Sequence, residues 1–129
     1  MDAETAAALI FSATTLIVVA FQFGLALGAP WGAYAMGGAF PGRYPPRMRV
    51  AAVVQAGVLL LLAAIELASA NVLLPSIAAP LRWTVWLPVV VSALGVVLNA
   101  ISPSAGERRI WVPVTLVLLV SSLIVAIAA

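Results

Sequence analysis

Four apolar stretches occupy nearly the whole chain, and each carries polar residues at helical spacing. The pairs are Thr15/Gln22, Gln55/Glu66, Ser92/Asn99 and Thr115/Ser122, seven or eleven positions apart. A helix turns by about 100° per residue, so these separations return to nearly one face. Four apolar segments, each with one polar stripe, predict an all-α fold: a four-transmembrane-helix bundle whose polar faces look at one another. A polytopic membrane protein of this kind leaves no room for a separate soluble domain, so residues 1–129 form a single membrane domain.

Composition agrees. Hydrophobic residues make up 65% of the chain and charged residues 8%, with a mean hydropathy of +1.23. A soluble domain with so little polar surface could not cover its core. The chain has no Cys, which excludes disulfides, thiolate chemistry and iron–sulfur ligation. It has no His, the commonest metal ligand and general base. No cofactor is expected. The basic character rests on six Arg and no Lys. These lie in short connections, so they read as topology signals and not as a nucleic-acid surface. Asp2 and Glu4 stand where a signal peptide would carry basic residues, and the first span is expected to be retained.

The spans are expected at about 5–29, 49–71, 81–101 and 110–127. Pro75 to Pro80 forms a tight connection. Pro88 is expected to kink the third span, and Pro113 to sit in the first turn of the fourth. The first and third connections hold Arg43, Arg47, Arg49, Arg108 and Arg109, against Arg82 alone in the second. This bias places those two loops in the cytoplasm and both termini outside a cell (plasma) membrane.

Glu66 is the ionisable residue deepest in an apolar span. A charged acid at the bilayer centre costs about 2.5–3.5 kcal/mol on insertion scales. It reads either as a proton or cation site, or as a structural acid that is protonated and hydrogen-bonded to a neighbouring helix or lies near enough to the outer surface to reach water. Gln22, Gln55, Asn99 and Thr115 come from four different spans, near one level toward the cytoplasmic side. They form a polar layer that either fixes helix register by interhelical hydrogen bonds or floors a ligand cavity.

Gly24, Gly28 and Gly32 recur every four residues, a spacing that permits close helix contact. They point either to a homodimer or membrane-protein partner, or to packing within the bundle. The segment from Gly28 to Gly38 is too apolar for a solvated loop and is expected at the membrane interface. Trp31, Arg43, Arg47, Arg49, Arg108 and Arg109 are candidates for contact with anionic lipid headgroups, or simply for topology and interfacial anchoring.

The string GAPWG with paired glycines, together with Asn99-x-x-Ser102, Glu107-Arg108 and Trp111-x-Pro113, resembles a group of small, uncharacterised bacterial integral membrane proteins. The resemblance covers both Arg-bearing loops and the adjoining helix ends. It implies four spans and carries over no reaction or ligand.

The expected function is that of a non-enzymatic binding or accessory protein touching membrane lipids or a membrane partner. The alternative is a small proton- or cation-coupled transporter that titrates Glu66. That route is interrupted by Leu59 and Leu62 on the same face. An enzyme would need an acid–base pair or an activated nucleophile, and neither is legible.

Overall fold

The computed structural model describes residues 1–72 and 82–129. The connection expected over Pro75 to Pro80 lies outside the described residues, as do Leu74 and Leu81. Among the described residues there are four α-helices. They are α1 (Ala3–Ala26), α2 (Pro46–Ser69), α3 (Trp86–Ala100, entered through a 3-10 turn at Arg82–Val85) and α4 (Ala105–Ala128). Each helix, α3 taken with its 3-10 turn, is long and apolar enough to cross a membrane. The fold is an all-α four-helix bundle.

The helix starts have local causes. Asp2 caps α1, its carboxylate accepting from the Thr5 amide at 2.7 Å. Pro46 opens α2 at a position where no amide hydrogen is needed. Ser104 caps α4, its hydroxyl accepting from the Glu107 amide at 3.2 Å. That cap starts α4 at Ala105, earlier than hydropathy alone suggests, so Pro113 lies inside the helix and not in its first turn. Pro88, expected to kink a continuous span, falls in the first turn of α3; the change from 3-10 to α geometry comes just before it.

Along α1 the buried residues Ala7, Ala8, Phe11, Thr15, Val19, Gln22 and Leu25 recur every three or four positions. The Thr15/Gln22 stripe therefore faces the interior, as its spacing predicts. Helix α1 packs against α2 and α4, and α4 packs against α3, whereas α2 and α3 touch little among the described residues. At the end holding both termini the bundle is tight. Ala8 of α1, Ala70 after α2, Val89 of α3 and Val125 of α4 share one core cluster. Below it Phe11, Leu62, Ala63 and Leu118 form a second. Toward the Arg-bearing end Leu25 of α1 and Ala52 of α2 share a third cluster with Tyr44, while α2 and α3 stand apart.

Candidate functional site

The helices enclose a cavity of about 670 Å³ at the Arg-bearing end. Gln22, Gln55, Asn99 and Thr115 all line it. The four residues thus meet around one space, but they do not bond across it. Asn99 donates to the Gly95 carbonyl at 2.7 Å, and Thr115 to the Trp111 carbonyl at 2.7 Å, each within its own helix. Gln22 and Gln55 bond to no described residue. The alternative of register-fixing interhelical bonds among these four does not describe this geometry. They are also not a flat layer. Thr115 is ten residues into α4, roughly 15 Å from its start, while Asn99 is next to the last residue of α3.

Part of the cavity wall is exposed at the loops, through Tyr34, Met36, Ile101 and Pro103, and part at the gap where α2 and α3, which touch little among the described residues, face each other. Ala51 and Gln55 on α2 and Val91 and Leu98 on α3 are exposed at this gap and also line the cavity. Phe11, Leu62 and Leu118 close its far end. At the Arg-bearing end it is bounded by the two loops, and a clamp holds these together. Gly37 donates its amide to Glu107 Oε2 at 2.7 Å. Ser102 donates its hydroxyl to the same oxygen at 2.8 Å, and itself accepts from the Ser104 amide at 3.1 Å. The Ser104 hydroxyl donates to the Ala33 carbonyl at 2.7 Å. The Trp111 indole donates to the Tyr34 carbonyl at 2.7 Å.

Ser104 and Glu107 have the spacing of a capping box, in which the acid would reach back to its own N-cap amide. Here Ser102 bridges the two, and that leaves Glu107 able to hold Gly37. The positive φ of 67° at Gly37 suits glycine and turns its amide to the carboxylate. Sequence reading singled out the glycine-rich string and the Glu107-Arg108 and Trp111 motif separately; the structure joins them in one contact. It also assigns Glu107, Tyr44 and Ser102 to the cavity wall, which the sequence search had not made candidates. The capping-box spacing of Ser104 and Glu107 was the available signal.

The Arg candidates surround the cavity without lining it. Arg49 donates Nε to the Tyr44 carbonyl at 2.8 Å. Arg108 donates to the Ser102 carbonyl. Arg47 lies over the Phe40 ring at 6.0 Å. Arg43, Arg47, Arg108 and Arg109 are exposed. Trp31 is partly exposed and stacks on Phe21 at 5.8 Å. Burial, and then the negative charge of Glu107, push the Tyr44 phenol above its ordinary value, so it is neutral at physiological pH.

The glycine stripe is filled from within the chain. A Cβ at Gly24 would lie 2.0 Å from the Trp31 ring, and one at Gly32 would lie 1.8 Å from the Phe40 carbonyl oxygen. Gly28 faces the Arg49 guanidinium. Close approach is real at these positions, but the loop makes it, not a neighbouring span.

Glu66 stands apart from the cavity. It is fully buried, and neither of its oxygens has a hydrogen-bond partner among the described residues; the same holds for the Ser12 and Thr15 hydroxyls. Leu62, one turn away, faces the cavity between them.

The chain is therefore a four-helix protein of the multi-pass membrane class, with an amphipathic cavity at its Arg-bearing end. Comparison with family models, curated proteins and solved structures gave no match.

Proposed function

We propose that this is a non-enzymatic membrane binding protein that admits an amphiphilic molecule from the bilayer through the gap between α2 and α3. The observation that carries this reading is the cavity itself. Unbonded amide side chains lie in its wall toward the Arg-bearing end, apolar residues close the other end, and exposed lining on α2 and α3 makes the gap between them the proposed way in. A polar headgroup would meet Gln22 and Gln55, and an acyl chain would lie against Leu59, Val91 and Leu118. The exposed Arg43, Arg47, Arg108 and Arg109 at the cavity's polar end support a cytoplasmic orientation for it, by the positive-inside bias. Arg43 and Arg47 are exposed and would touch anionic headgroups or a membrane partner, Arg47 from above the Phe40 ring; Arg49 is committed to the Tyr44 carbonyl.

A binding reading is favoured over catalysis by the hydroxyls. Ser121 and Ser122 donate back to carbonyls of their own helix, so neither hydroxyl is hydrogen-bonded to a base. It is favoured over transport through Glu66 by the apolar plug of Phe11, Leu62 and Leu118.

Mass spectrometry of the full chain extracted from its native membrane tests the proposal. Wild-type protein should retain an amphiphile in stoichiometric amount. Ala51→Trp, which fills the gap between α2 and α3, should lose it while keeping the helical circular dichroism. Equal retention by the variant would remove the cavity from the binding account.

A further inference from the structure

The cavity wall joins a buried carboxylate to aromatic rings. Glu107 is 8% exposed and has no ion-pair partner among the described residues, although every Arg of the chain is described. Its Oε2 is taken by Gly37 and Ser102. Its Oε1 accepts from no described residue and is not one of the fully buried atoms. Phe21, Tyr34, Tyr44 and Trp111 line the same space. Phe21 and Trp111 meet edge to face, with centroids 4.7 Å apart. Gln22, itself 8% exposed, adds an unbonded amide to the same wall. No guanidinium enters: Arg49 and Arg108 are tied to the carbonyls of Tyr44 and Ser102.

We infer that the cavity selects an amphiphile with an ammonium headgroup, taken up by the Glu107 carboxylate and the rings of Phe21, Tyr44 and Trp111. An uncompensated carboxylate repels an anionic head, and aromatic faces attract an alkylammonium through their quadrupoles. A bare metal ion fits poorly. The space is far larger than an ion needs, and no group of three or more acidic ligands exists among the described residues. The apolar far end of the cavity accommodates the chain attached to such a head. This inference rests on the binding reading above and narrows it to one headgroup chemistry.

The test uses native mass spectrometry of the full chain in dodecyl maltoside, with decyltrimethylammonium, decyl sulfate and decyl maltoside as probes. The ammonium probe should bind about ten-fold or more tighter than the sulfate, about 1.4 kcal/mol. Glu107→Gln, which keeps the shape of the clamp, should erase that preference. Phe21→Leu removes no hydrogen bond of the clamp and should weaken the ammonium probe while sparing the sulfate. Competition by tetramethylammonium alone would assign the site to soluble ammonium ions; competition by phosphatidylcholine but not by tetramethylammonium would assign it to a bilayer lipid. The second outcome supports the inference; the first overturns it, because the ligand would then be no amphiphile. Equal binding of all three heads, or a preference for sulfate, overturns it. If such unselective binding is lost in Ala51→Trp, the binding reading survives its failure. No probe bound, with no amphiphile retained from the native membrane, ends both.

Discussion

Glu66 shows how a single residue can sit at odds with its surroundings. It lies on α2 between Leu62 and Ala63 of one core cluster and Ala70 of the other, so it occupies the tight half of the bundle. A buried polar group without a partner costs about 1–3 kcal/mol. Glu66→Met should therefore raise the thermal midpoint of the protein in detergent, and a lowered midpoint would mean that the acid has a favourable partner. Asp2 behaves in the opposite way. Its bonds to the Thr5 amide and hydroxyl hold its carboxyl below the ordinary value. A depressed acid stabilises the folded end above its unfolded value and loses that effect as pH falls through its folded value. The first turn of α1 should fray in acid. Amide exchange there should match between wild type and Asp2→Ala at low pH and diverge at neutral pH.

At the scale of elements, the loop from Leu27 to Pro45 is a packed unit. Trp31 folds back over Gly24, and the Gly32 amide donates to the Gly42 carbonyl at 2.9 Å. Gly32→Ala forces a methyl against the Phe40 carbonyl, which is backbone and cannot swing away. It should destabilise the protein by about 1–3 kcal/mol, the usual scale of overpacking. Gly57→Ala in α2 meets nothing within 4 Å and should be neutral or stabilising. Paired denaturation curves check both; equal losses would mean that the loop yields. The spans were legible because twenty or so apolar residues and a 3.6-residue period are local properties. Helix α4 starts ahead of its apolar run. Gly106, Glu107, Arg108 and Arg109 read as polar loop, while the Ser104 cap makes them the first turns of a helix.

Across the whole molecule, one end of the bundle is closed by small side chains and the other is held open by bulky ones. Alanines at 7, 8, 70 and 126 let the helices approach at the closed end. Phe21, Tyr34, Tyr44 and Trp111 stand around the cavity at the other. The plug of Phe11, Leu62 and Leu118 divides the two halves. Glu66→Gln should accordingly leave amphiphile retention unchanged. Reconstituted in liposomes, it should show the same proton flux as wild type. A pH-dependent flux lost in this variant would bring back transport through Glu66.

Sequence alone determined that four helices are long and apolar enough to cross a membrane, that Thr15, Gln22, Glu66, Ser92 and Ser122 turn inward, though Gln55 stays exposed, and that every Arg but Arg82 gathers at one end. Periodicity, span length and charge placement are read within one segment at a time. Only the tertiary structure decided that Gln22, Gln55, Asn99 and Thr115 surround a space and do not bond across it. It alone decided that the glycine stripe receives Trp31 and Phe40, and that Glu107 closes the loops while facing the cavity. The Gly37–Glu107 bond spans 70 residues of chain. No local pattern encodes a contact of that kind. It depends on how α1 and α4 pack and on where the two loops then meet.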